Sequence, residues 1–192
     1  MRMLVWLLLW AAPDTRPAIV AFGDSITDGF GVPKGSAYPE QLQRMLDAKG
    51  KRWRVVNAGV SGDTTSNALD RMPGVLELKP KLVIVEIGGN DGLRGLPLEM
   101  TRKNLDEMIG KLRGAGARVL LVGMTLPANY GREYVTRFER MYEEVASKHR
   151  VTLAPASKAG MGGLMQPDGL HPTPPGHRRL AEFLLPYVEK EL

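Results

Sequence analysis

Short apolar runs at 18–22, 53–57, 82–87, 119–123 and 151–153 are bounded by glycine or polar residues. Runs of that length, mostly apolar instead of alternating, read as strands buried on both faces, as in a parallel sheet. Between them the period changes. Leu98, Leu105, Met108, Ile109 and Leu112 share one helical face, as do Tyr134, Phe138, Met141, Tyr142 and Val145, and then Leu180, Phe183, Leu184, Tyr187 and Val188. Thr173 before Pro174 and Pro175 marks a helix start, because a threonine hydroxyl can accept a free N–H of the first turn and proline needs none. This alternation predicts the α/β class: a doubly wound parallel sheet in one three-layer α/β/α domain over 17–192. Ligands of such a sheet gather beyond the carboxyl ends of its strands. No repeat, low-complexity tract or linker divides the chain.

A separate apolar segment precedes the first strand within residues 1–16. Residues 4–12, after Arg2, match a secretory h-region and fall short of the ~20 residues that span a bilayer. The expected location is therefore periplasmic or secreted. Cleavage after Ala12 would put bulky Trp10 where a small residue belongs and leave Pro13 next. An uncleaved anchor is the alternative, and without export the chain is cytoplasmic.

Composition narrows the chemistry. The 192 residues contain no cysteine, which excludes disulfides, a thiolate nucleophile and cysteine-ligated metal, and three histidines are too few to suggest a dedicated metal site. We expect no cofactor and no metal. Net charge is +5, from 26 Lys and Arg against 21 Asp and Glu. The basic cluster Lys49, Lys51, Arg52 and Arg54 lies between a predicted helix and a predicted strand, and no nucleic-acid motif accompanies it. It fits a solvated loop, with at most weak contact to a membrane surface, and a monomer is expected.

The turns after the strands carry the unusual residues. Ser25 follows the first strand in Gly23-Asp24-Ser25, and a serine needs a base to attack at neutral pH. His171 is the candidate base, with Asp168 three residues earlier to orient it and Gly169 to allow the tight turn between them. The backbone N–H groups of Ser25 and Gly62 and the side-chain amide of Asn90 are candidate oxyanion donors. If the strand order is 2-1-3-4-5, the turns bearing Gly62 and Asn90 flank Ser25. Taken singly, each residue is also an ordinary turn residue. Their joint placement at one sheet edge argues for a site.

Gly23-Asp24-Ser25, Gly62, Gly89-Asn90-Asp91 and Asp168-x-x-His171 resemble the four ordered blocks of the SGNH (GDSL) hydrolases. The strings at 88–95 and 126–131 are similar to the bacterial thioesterase/lysophospholipase/arylesterase subgroup. The resemblance covers nearly the whole chain after residue 17. It implies a flavodoxin-like sheet of about five strands, no cofactor, and cleavage of carboxylic esters or thioesters through an acyl-serine. In those terms Ser25, Asp168 and His171 are catalytic, and Ser25, Gly62 and Asn90 form the oxyanion hole.

A carbohydrate O-deacetylase is the rival of the same chemistry. A non-enzymatic protein cradling phosphate in the first turn is the rival of another class, although neither a P-loop nor a dinucleotide fingerprint is present. Leu93, Leu96 and Leu126 are candidate substrate contacts, with Gly92 and Gly95 making the intervening loop mobile, and Met124, Pro127, Met161 and Met165 either line the same groove or pack in the core. Asp24 and Asp28 are expected to brace the serine turn, and Asp63 and Asp91 to cap neighbouring turns. His149 and His177 are expected at the surface or at helix ends.

Overall fold

A computed structural model describes residues 14–192. The apolar segment at the start of the chain therefore lies, apart from its last three residues, outside the described residues. Five strands, β1 (Ala18–Gly23), β2 (Arg54–Gly59), β3 (Leu82–Glu86), β4 (Arg118–Gly123) and β5 (Thr152–Pro155), form one parallel sheet in the order β2-β1-β3-β4-β5. This is the predicted order. Each strand lies within two residues of its expected bounds.

Alternate side chains of the central strands feed two separate cores. Ile19, Ala21, Leu82, Ile84, Leu120 and Val122 meet α2 (Tyr38–Ala48) and α7 (Pro174–Glu191) on one face. Val20, Phe22, Val83, Val85, Val119 and Leu121 meet α3 (Thr65–Glu77), α5 (Leu98–Gly114) and α6 (Arg132–His149) on the other. Because both faces are covered, the central strands are apolar at nearly every position, Arg118 at the start of β4 and Glu86 at the end of β3 excepted, which is why they read as unbroken runs. Two short helices, α1 (Ser25–Asp28) and α4 (Gly89–Leu93), begin directly after β1 and β3.

Helix α3 is the element hardest to see in the sequence. Pro73 and Gly74 lie inside it, and only Thr65, Ala68, Met72 and Val75 are buried. Tertiary packing overrides the poor helix propensity of that pair. A capping box supports its start: Thr64 accepts from Asn67 N, and the Asn67 side chain accepts from Thr64 N. Thr173 caps α7 as expected, accepting from Gly176 N at 3.3 Å.

Candidate active site

Three turns at the carboxyl edge of the sheet and one loop before α7 converge. The first turn depends on Gly23, where a Cβ would lie 2.1 Å from Thr27 Oγ1 and 2.4 Å from Glu86 O. No other residue leaves room for α1 to start so close to the sheet. Asp24 caps α1 by accepting from Ile26 N at 3.2 Å, and Ser25 stands at the helix's first position. Asp28 accepts a 2.5 Å hydrogen bond from Ser61 Oγ. Both aspartates thus brace the turn, as expected.

Glu86 and Asp24 put two buried carboxyl groups behind this turn. Glu86 is 2% exposed; its Oε2 accepts from Thr27 Oγ1 at 2.7 Å, and its Oε1 has no partner among the described residues. Burial, reinforced by Asp24, pushes the Glu86 carboxyl well above the ordinary carboxylate range. Burial likewise raises Asp24, to about 6.

The second turn carries Gly62, whose φ of +87° is the left-handed region that favours glycine. Its carbonyl accepts from Arg94 Nη2 at 2.9 Å. In the third turn, Asn90 Nδ2 donates to Asp63 O at 2.9 Å, and the second proton of that amide has no partner among the described residues. These two bonds tie the Gly62 and Asn90 turns together. Because β2 and β3 flank β1, both turns stand beside Ser25.

The loop before α7 supplies the base. Asp168 Oδ1 accepts from the N–H groups of Leu170 (2.8 Å) and His171 (3.0 Å), while Oδ2 lies 2.7 Å from His171 Nδ1. These bonds hold the Asp168 carboxyl at about 2, below its ordinary range. The other ring nitrogen, Nε2, lies 2.9 Å from Ser25 Oγ. Carboxylate, imidazole and hydroxyl therefore form one unbroken chain. With the carboxylate on Nδ1–H, Nε2 is the acceptor that Ser25 needs. A phosphate cradle would have no use for it.

A cavity of about 380 Å³ opens beside this chain, lined in part by Ile26, Met124, Leu126, Met161, Met165 and Leu170. Met124 and Met161 thus line a groove as well as touch the core, and Met165 lines the groove. Leu126 is among the lining residues, whereas Leu93 and Leu96 are half-buried outside it. Gly92 has a packing role: it is buried, and a Cβ there would lie 2.7 Å from Phe138 and 2.8 Å from Leu126. Tyr134 and Tyr130 donate to the carbonyls of Gly92 (3.2 Å) and Leu93 (3.0 Å).

Two expectations about polar residues need correction. His177 is not at the surface: it is fully buried on the sheet-facing side of α7, and neither ring nitrogen has a partner among the described residues. Burial, helped by the nearby charge of His171, lowers it to about 4. His149 is at a helix end as expected, where its Nε2 lies 2.8 Å from Asp106 Oδ1. Asp63 is not a cap; its carboxylate pairs with Arg71 Nε at 2.5 Å. Asp91 does act as a cap, accepting from Thr65 N (2.9 Å) at the start of α3.

Arg71 is a site residue that sequence reasoning missed. Besides Asp63, its guanidinium donates to Gly23 O and Ala58 O, both at 2.7 Å, and lies 4.6 Å from the centre of the Phe22 ring. One side chain thus joins the first two turns through the fixed fork of its donors. A lone arginine in a helix gives no sequence signal for this.

Among the described residues no group of three or more acidic, histidine or cysteine side chains could hold a metal ion. The esterase TesA of Pseudomonas aeruginosa is 42% identical over 190 residues, covering 97% of this chain and 93% of that protein. Thioesterase 1/protease 1/lysophospholipase L1 of Escherichia coli K12 is 36% identical over 186 residues, covering 95% and 85%. The crystal structure of TesA superposes with a TM-score of 0.86 at 41% identity, covering 91% of this chain and 99% of that one. The profile of the GDSL-like Lipase/Acylhydrolase family matches residues 21–179, and the chain belongs to that family.

Proposed function

We propose that this chain hydrolyses carboxylic esters or thioesters through an acyl-Ser25 intermediate. The observation that carries the reading is the Asp168–His171–Ser25 chain, with steps of 2.7 and 2.9 Å. In acylation, Ser25 Oγ bonds to the substrate carbonyl carbon as its proton passes to His171 Nε2. The bond to the leaving oxygen or sulfur then breaks, and that atom takes the proton from Nε2. Water repeats the sequence on the acyl-enzyme, releasing the acid and restoring Ser25. Asp168 stays ionised and holds the imidazole in register. The N–H groups of Ser25 and Gly62 and the free proton of the Asn90 amide stabilise the oxyanion. All these groups come from one chain, so a monomer suffices.

The apolar cavity favours longer acyl groups over acetate, because each buried methylene contributes up to about 0.8 kcal/mol until the space is full. Leu126 is a contact in this reading, and Leu93 and Leu96 would join it only if their turn closes on bound substrate. The test is a series of p-nitrophenyl esters of two to sixteen carbons, with acyl-CoA and lysophospholipid, run on wild type and Leu126→Ala. We expect kcat/KM to climb with length and then level off, and the rise to weaken in the variant. A steady fall from acetate upward would favour a deacetylase.

The apolar run at 4–12 supports an exported enzyme. None of the described helices is long and apolar enough to cross a membrane. Cell fractionation of the full chain decides between export and retention.

A further inference from the structure

Phe30 is half exposed, yet it is held from three directions. Its N–H donates to Ser25 O at 2.9 Å, and its carbonyl accepts from Gln166 Nε2 at 2.8 Å. Its ring lies 4.7 Å from the His171 ring, tilted by 44°. Gln166 is itself clamped to the histidine loop: its N–H donates to His171 O at 2.7 Å, and its Nε2 to Pro172 O at 3.0 Å. Phe30 is therefore a rigid apolar wall, 50% exposed, fixed relative to both Ser25 and His171. An exposed phenylalanine anchored this way is built to meet something apolar.

The chemistry of the step says what that is. His171 Nε2 must hand its proton to the leaving oxygen or sulfur, so the departing group occupies the space beside the imidazole. The acyl chain takes the methionine-lined cavity, whose lining residues do not include Phe30. We infer that Phe30 forms the leaving-group subsite and selects substrates whose departing alcohol or thiol is flat and apolar, an aryl group above all. This rests on the ester hydrolysis proposed above.

The test compares phenyl acetate with methyl acetate, which share an acyl group, in wild type, Phe30→Ala and Phe30→Tyr. Binding of 2-naphthol, followed by calorimetry, reads the same subsite without turnover. Offset stacking of aromatic rings is worth about a fivefold effect. Taking kcat/KM, which reports the half-reaction in which the leaving group is present, we expect the phenyl-to-methyl ratio to drop about fivefold in Phe30→Ala and to be retained in Phe30→Tyr. Naphthol affinity should fall in parallel. Equal losses on both esters, with naphthol binding unchanged, would overturn the inference and make Phe30 a mere support for His171. Wild type that binds naphthol but cleaves neither ester would instead sink the hydrolase reading.

Discussion

Ser25 Oγ and His171 Nε2 lie 2.9 Å apart although 146 residues separate them in the chain. A serine with so placed a base is the only hydroxyl the mechanism needs. Ser25→Ala should reduce ester hydrolysis by about 10⁶-fold, to the level left by binding and the oxyanion donors. A fluorophosphonate should label wild type on Ser25 alone, read by peptide mass spectrometry. Labelling of another residue would reject the assignment.

Asp168 binds the imidazole through Oδ2 and its own loop through Oδ1. Asn at this position keeps an acceptor for the loop but turns an N–H toward His171 Nδ1, which favours the wrong tautomer. Asp168→Asn should therefore cost up to about 10⁴ in kcat with the fold intact. Combined with His171→Ala it should add almost nothing, since the two act as a unit. With its pKa at about 2, Asp168 keeps its charge at any pH above its ordinary value of 3.8, and pH effects on rate there come from other groups.

One proton of the Asn90 amide is spent on Asp63 O, which fixes the direction of the other. Asn90→Ala should lower kcat by roughly 10² to 10³ with KM little changed, the signature of an interaction made only in the transition state. A change confined to KM would make Asn90 a ground-state contact instead.

His177 should be a stability residue and not a catalytic one. Its folded value of about 4 lies below the ordinary 6.5, so the unfolded chain binds the extra proton and stability is lost as pH falls from 6.5 to 4. Asp24 runs the other way: its folded value of about 6 lies above 3.8, so the stability its protonated form provides is lost as pH rises from 3.8 to 6. The two nearly oppose each other across pH 4–6. His177→Leu removes two nitrogens that have no partner among the described residues, worth about 1–3 kcal/mol, and should raise Tm by a few degrees while leaving turnover close to wild type. The gain, read by calorimetry, should be larger at pH 5 than at pH 8. A variant less stable at both pH values would show that the His177 ring is held by a contact worth more than its desolvation.

The strands, most helices and the candidate Ser25, Gly62, Asn90, Asp168 and His171 were legible because each is written within a few neighbouring residues. An unbroken apolar run, a three-to-four period, a glycine beside a serine or an Asp-Gly-x-His turn is a local property of the backbone and its side chains. Even the convergence of the four blocks followed once the strand order was taken as 2-1-3-4-5, since parallel connections bring successive carboxyl ends to one edge. Helix α3 escaped because Pro73 and Gly74 interrupt a local pattern that only packing restores. What the tertiary structure alone decided is the surroundings of single polar or aromatic side chains: His177 buried without partners among the described residues, the Glu86 carboxyl buried behind the serine turn with its pKa pushed up, Arg71 joining two turns, and Phe30 laid on the His171 ring. Each depends on which distant segment covers that side chain. Burial and electrostatic environment are set by neighbours remote along the chain, so no local pattern of residues encodes them.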